Sequence, residues 1–397
     1  MRDDDPVEVV DERLELNGAK NGRQMRRPTV GVLLSSLCAE GTPVLALDMA
    51  KVWQRKGVGL KVFTFQDTPA DLASEFRYAG ISVESLSIRQ RGYSRFPSLA
   101  WHIFELCRRQ RFDGILSFPF GWHSYIAWGA ALAGVRVVVA HAGNYPPVGD
   151  SAGVRKLRAT IAIGEMWHPR IACCSDHVRS GVAQHLGISL SRLHTVYNGI
   201  DFARFHSQAK QPWQSSRPLR IGMVARFETH KDQPTLMKTI RDLRSRGIDI
   251  QLDLVGDGTR RSEYELLAKQ LRIDGAVRFL GVRRDIPDLL RQWDLFVFSV
   301  SPDEGLGLAL IEALAIGVPV IASDVGACRE VLDCPAHGML GALFPVGDAG
   351  QLASTIMEFR NNPDPWRDRA ARARLSVQSR FSVEAMSDGY LKLLDVT

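Results

Sequence analysis

Two glutamates, Glu304 and Glu312, flank a Gly-x-Gly turn in the string Ser301-Pro-Asp-Glu-Gly-Leu-Gly-Leu-Ala-Leu-Ile-Glu312. Gly305 and Gly307 let the backbone turn tightly and come close to a ligand. The amides from Leu306 to Leu308 and Ala309 then open a helix, and a helix N-terminus suits an anion such as a diphosphate. Glu304 lies before the first turn and Glu312 two turns inside. One carboxylate can therefore face a sugar while the other accepts hydrogen bonds from ribose hydroxyls. A lone Gly-x-Gly would read as a glycine-capped helix with two solvent-facing glutamates; the whole string, following an apolar strand, points to a ligand.

A second group is Arg226-Phe-Glu-Thr-His-Lys231, again just past a strand. Arg226 as a planar fork and Lys231 as a point charge can converge on a diphosphate from one side. Loop cations are common, so this pair alone does not decide the chemistry. Val255-Gly-Asp-Gly258 is a tight turn after a third strand. A plain strand-to-helix turn there is compatible with a role for Gly256 near a nucleobase.

These loops need strands to aim them. Apolar, β-branched runs at 29–34, 60–65, 114–118 and 135–140 alternate with helical patterns, and a polar segment follows at 205–218. The alternation then restarts with strands at 219–224, 250–255, 277–279, 295–298 and 318–322. Near-continuous apolar strands alternating with helices predict parallel sheets covered on both faces. At 397 residues two domains are the default. The expected class is α/β, with two doubly wound Rossmann-like domains that bind ligands at the carboxyl ends of their strands. Residues 1–27 read as a mobile tail, 28–205 as the first domain, 206–218 as the linker and 219–381 as the second domain. An amphipathic helix at about 382–397 is expected to return to the first domain and cover it with Met386, Tyr390, Leu391 and Leu394.

The second domain resembles that of the retaining glycosyltransferases of family 4, the glycogen-synthase-like group 1 enzymes. The matching runs are GMVARFETHK at 222–231, LVGDG at 254–258, VRFLG at 277–281, EGLGLALIEA at 304–313 and GVPVIASDVG at 317–326. Together they cover about 220–346 in the family's order and spacing. The first domain is less similar: its glycine loop reads Ala39-Glu-Gly41-Thr where Gly-Gly is common, although Asn198-Gly-Ile-Asp201 matches the usual run into the linker. The resemblance implies a GT-B fold, with the domains facing across a cleft that closes on the donor, and sugar transfer from a nucleotide diphosphate donor, a UDP-sugar by default.

It also implies roles. Arg226 and Lys231 would neutralise the diphosphate, and the amides at Leu306 to Ala309 would assist. Gly41 would lie beside the donor, Glu312 would bind the ribose, and Glu304 the sugar hydroxyls. His141, expected just after a strand, would contact the donor sugar or the acceptor. No metal and no cofactor are expected, since Asp3-x-Asp5 lies in the tail and loop cations can take a metal's part. A nucleotide-sugar epimerase or phosphorylase on the same architecture, and a catalytically silent binding protein, are the rival readings.

Composition excludes collagen, general disorder and a disulfide scaffold. The six cysteines have neither C-x-x-C nor zinc-site spacing, and are expected to be reduced thiols in the cytoplasm. The acidic start lacks the apolar segment of a secretory signal, and no apolar run is long enough for a membrane span. The positive charge sits on residues 28–205, which hold 19 basic against 12 acidic side chains. Arg89, Arg91, Arg95, Arg108, Arg109 and Arg111 interleave with Tyr93, Phe96, Trp101 and Phe104, and Arg155, Lys156 and Arg158 form a second group. Such a surface can dock on an anionic bilayer, though a solvated helix face would carry the same residues. No nucleic-acid partner is expected. His123, following a strand, could line the acceptor side; His102, His168, His177, His185 and His194 read as surface or core residues.

Overall fold

The computed structural model describes residues 27–39, 41–88, 95–206 and 217–396. The tail, Glu40, Arg89, Arg91, Tyr93 and most of the linker lie outside the described residues.

Two parallel sheets organise the chain. The first has seven strands in the order Val83–Ser85, Gly59–Thr64, Thr29–Leu34, Gly114–Ser117, Val137–Ala142, Arg170–Cys173 and Leu193–Thr195. The second has six, in the order Val277–Gly281, Ile250–Val255, Leu219–Val224, Leu295–Phe298, Val320–Ser323 and Ala342–Phe344. The central strands are buried on both faces, as in Gly114–Ser117 and Leu295–Phe298. That burial explains their unbroken apolar sequences. In both sheets the strand order reverses beside the first strand, Thr29–Leu34 or Leu219–Val224. Such a reversal leaves a crevice at the carboxyl ends, and the two crevices face one another.

The chain passes between the domains twice, and the two crossings are bonded together. Ile200 N–H donates to Phe381 O at 2.9 Å and Val383 N–H to Ile200 O at 3.0 Å. Gly199 makes this possible, because a Cβ there would stand 2.2 Å from the Ser382 carbonyl oxygen.

Beyond that crossing, the helix Val383–Leu393 begins with the Ser382 side chain capping Ala385 N–H. It packs against the first domain's helix Gly41–Arg55. Met386, Tyr390, Leu391 and Leu394 join Val52 and Trp53 in one apolar cluster, and Trp53 Nε1 donates to Ser387 O at 3.4 Å. Each fully buried large apolar side chain contributes about 1.5–3 kcal/mol to this docking, which offsets much of the conformational entropy lost in ordering the helix.

Candidate active site

A cavity of about 440 Å³ lies between the two carboxyl edges and is lined from both domains. Its floor is built by two helix starts. The helix Gly41–Arg55 brings Gly41, Thr42 and Pro43 to the lining, and the helix Leu308–Ile316 brings Leu308 and Ala309. The first amides of an α-helix have no intrahelical acceptor, so both ends present donors and positive dipole ends to the same space.

Gly305 and Gly307 each have a steric reason to be glycine. Gly307 caps the second helix at φ +84°, and a Cβ there would meet the Phe298 ring at 2.8 Å. Gly305 lies against the first domain, where a Cβ would stand 2.2 Å from Gly143 O. Ser175 Oγ also donates to Gly305 O at 2.6 Å, which pins this loop to the first domain.

Arg226 and Lys231 bring positive charge to the lining, and His230, whose imidazole is pushed below its ordinary value first by burial and then by Lys231, stands beside them. Lys231 pairs with Glu304, and its ammonium lies 5.2 Å from the Phe298 ring centroid. Burial would raise the Glu304 carboxyl, but the charge and hydrogen bond of Lys231, with His230 and Gly305 N–H, hold it below its ordinary value. Glu304 is therefore an anion in the cavity wall. Arg226 is half exposed, with its guanidinium 3.2 Å from Glu228.

His141 lies within the strand Val137–Ala142, slightly earlier in the fold than the loop position expected from sequence, because that strand runs two residues further than the apolar run suggests. It nevertheless reaches the lining, as Glu304 does. Burial pushes its imidazole down to about 4, so it is neutral near pH 7. Its Nδ1 is 2.7 Å from the Tyr390 hydroxyl.

The structure therefore brings together Arg226, Lys231, Glu304, His141, Gly41, Leu306, Gly307, Leu308 and Ala309 around one space. Gly305 shapes the adjoining loop. Glu312 and Gly256 stand outside the lining. Glu312 faces the first domain, where burial pushes its carboxyl up to about 7 against the pull of Arg204 and with the push of Asp48. Gly256 adopts φ +133°, and a Cβ there would stand 2.1 Å from Ala225 O, so it lets two strand ends approach. His123 is buried at the start of the helix His123–Leu132, accepts from Gly121 N–H at 3.1 Å and does not line the cavity.

His230, Phe298, Asn144 and Asn198 also line the cavity and were not singled out from sequence. His230 stands between Arg226 and Lys231, so its signal was present; Asn198, in the run before the domain crossing, has a buried Oδ1 with no hydrogen-bond partner. Among the described residues, no group of three or more His, Cys, Asp or Glu is placed to hold a metal ion.

A doubly wound pair of domains, with two helix N-termini, two cations, a carboxylate and an imidazole lining the crevice between them, belongs to the class of architectures suited to a phosphate-bearing ligand. Comparison with known proteins narrows it. The family description "Glycosyl transferases group 1" matches residues 206–376, and "Glycosyltransferase Family 4" matches 39–204. The chain is 32% identical to the N-acetyl-alpha-D-glucosaminyl L-malate synthase of Bacillus anthracis over 79% of its own length and 83% of the relative's. It is 34% identical to the putative glycosyltransferase EpsF of Bacillus subtilis, over 50% of its own length and 54% of that relative's.

Among solved structures, HepE of Anabaena in complex with UDP and glucose aligns with a TM-score of 0.78 at 20% identity, over 92% of this chain and 99% of that one. A glycosyltransferase from Rickettsia africae aligns at 0.78 and 17% identity, over 93% and 98%. The chain belongs to the group 1 glycosyltransferases and has their GT-B fold.

Proposed function

We propose that this glycosyltransferase moves a hexose-type sugar from a nucleotide diphosphate donor, with UDP-sugars the first choice, to an acceptor hydroxyl with retention of configuration and without a metal ion. The supporting observation is the convergence of Arg226, Lys231 and two helix N-termini on one cavity that also holds Glu304 and His141. Loss of a nucleoside diphosphate places negative charge on the leaving phosphate, and fixed cations and amides stabilise it where it develops. They supply the positive charge that a metal would otherwise bring.

In this reading the diphosphate sits at the starts of the helices Gly41–Arg55 and Leu308–Ile316, with Arg226 and Lys231 beside it. Glu304 accepts hydrogen bonds from donor-sugar hydroxyls, His141 meets the sugar or the acceptor, and Glu312 takes the ribose. The anomeric centre becomes oxocarbenium-like as the bond to phosphate stretches. No covalent enzyme intermediate forms; the leaving phosphate takes the acceptor's proton on the same face, which preserves the configuration. HepE was solved with UDP-glucose and with UDP and glucose, which favours UDP-sugars for the first trial. The acceptor class proposed is a cell-envelope polysaccharide, a glycolipid or a specialised metabolite. The enzyme would work in the cytoplasm, at the inner membrane face if its basic first domain docks there.

The test is a panel of sugar nucleotides incubated with the enzyme in EDTA and pooled cell-envelope acceptors. Nucleoside diphosphate release with an axially linked product from an axial donor is expected. An inverted linkage, or activity that returns only with added Mg²⁺ or Mn²⁺, would contradict the corresponding part.

A further inference from the structure

The geometry points to Tyr390, on the C-terminal helix, as the residue that sets the tautomer of His141, so that Nδ1 is bare and Nε2–H donates into the cavity. This rests on the reading that His141 meets the donor sugar or the acceptor.

The Tyr390 hydroxyl and His141 Nδ1 are 2.7 Å apart, and both side chains are buried. A phenol has one proton to give, whereas either ring nitrogen of a neutral imidazole can carry the hydrogen. Among the described residues, His141 is the hydrogen-bond partner of that hydroxyl. Were Nδ1 to carry the proton, the phenol would accept from it and its own O–H would be left buried and unpaired, a cost of about 1–3 kcal/mol. Donation from Tyr390 to Nδ1 satisfies both groups and leaves the proton on Nε2.

The surroundings hold this arrangement. The Phe118 ring lies 5.0 Å from the His141 ring and 6.3 Å from that of Tyr390, which limits rotation of both. Nε2 borders Gly143, where a Cβ would approach it to 2.7 Å; the missing side chain keeps that nitrogen open towards the cavity, which Gly143 and Asn144 also line. His141 is then a hydrogen-bond donor to a ligand oxygen and has no lone pair facing the cavity with which to take the acceptor's proton. Tyr390 belongs to the helix that recrosses from the second domain, so the state of the imidazole depends on that helix being docked.

Nitrogen-15 spectra of the histidines, with His141 assigned by its loss in His141→Ala, should show Nδ1 unprotonated and Nε2 protonated near neutral pH. A proton on Nδ1 would overturn the inference. Tyr390→Phe, which keeps the ring, should lower kcat by about 10-fold, the loss of one buried hydrogen bond. In the His141→Ala background the same change should cost nothing further, because a residue acting through His141 has nothing left to act on. An equal factor in both backgrounds would make the hydroxyl merely structural and sink the proposal. Normal turnover in Tyr390→Phe beside slow His141→Ala removes the positioning role alone. Normal turnover in His141→Ala removes the reading of His141 itself, and the positioning role with it.

Discussion

Lys231 and Glu304, 73 residues apart in the chain, form an ion pair in the wall of the cavity, where both side chains are largely buried. Under the proposed function, the lysine placed beside the diphosphate is thus held by the carboxylate placed beside the sugar. A ligand entering the crevice meets both charges in fixed positions, with little left to reorganise.

Removing either donor cation should be costly to turnover. Lys231→Ala or Arg226→Ala is expected to lower kcat by about 10²-fold or more. Lys231→Ala also strands a buried carboxylate, which costs about 3–5 kcal/mol of stability. The Glu304 carboxyl is held below its ordinary 4.5 by its partner, so this stability is present above pH about 4.5 and disappears as pH falls through the lowered value. Melting curves of wild type and Lys231→Ala should therefore converge at acid pH. Near-normal kcat in both variants would remove these cations from the mechanism.

Glu312 carries a pH dependence of opposite sign. Its carboxyl is pushed up to about 7, above the ordinary 4.5, so it favours folding below 4.5 and penalises it as pH rises through 7. Glu312→Gln should gain melting temperature relative to wild type above pH 7. If the carboxylate accepts ribose hydrogen bonds, affinity for a nucleotide sugar should strengthen across that pH range in wild type and stay flat in the variant. Parallel affinity profiles would deny Glu312 a place at the ribose.

The domains are latched by a carboxylate on a helix end. Glu330 of the second domain accepts from Asp176 N–H at 2.7 Å and His177 N–H at 2.8 Å, at the start of the first domain's helix Asp176–Leu186. An anion at a helix N-terminus is favourable, and these two bonds tie the second domain to the first. Glu330→Ala should enlarge the radius of gyration of the unliganded enzyme, with nucleoside diphosphate restoring the smaller value. An unchanged radius in solution scattering would show that the latch does not govern closure.

Membrane docking is open to a direct trial. On the helix Arg95–Gln110, Leu99, Ile103, Leu106 and Cys107 are buried, while Trp101, Arg108 and Arg109 face outward. Arg109 is paired with Glu84, and Arg155 and Arg158 with Asp150, so part of the basic surface is already engaged. No helix among the described residues is long and apolar enough to cross a membrane. Sedimentation with anionic vesicles is expected to fall steeply as salt rises, and Trp101→Ala should weaken it. Equal binding to neutral vesicles, or none to either, would leave a solvated helix face.

Sequence alone determined the two-domain α/β architecture, because doubly buried parallel strands must be apolar along their whole length and alternate with covering helices. It also marked the 304–312 string and the 226–231 loop, since a doubly wound sheet places the loops after its strands at the crevice. Short strands at or next to the sheet edges, Val83–Ser85, Arg170–Cys173, Leu193–Thr195 and Ala342–Phe344, escaped notice, because three or four residues carry too little periodicity to read. Tertiary structure decided the contacts between segments far apart in the chain, both within a domain and between the two. It paired Lys231 with Glu304, turned Glu312 towards Asp48 and Arg204, set Glu330 on a helix end of the other domain, and brought Tyr390 to His141 across 249 residues. Each of these contacts joins segments whose local patterns are independent of one another, so spacing along the chain holds no record of them; they arise where packed surfaces place the groups within hydrogen-bonding or electrostatic range.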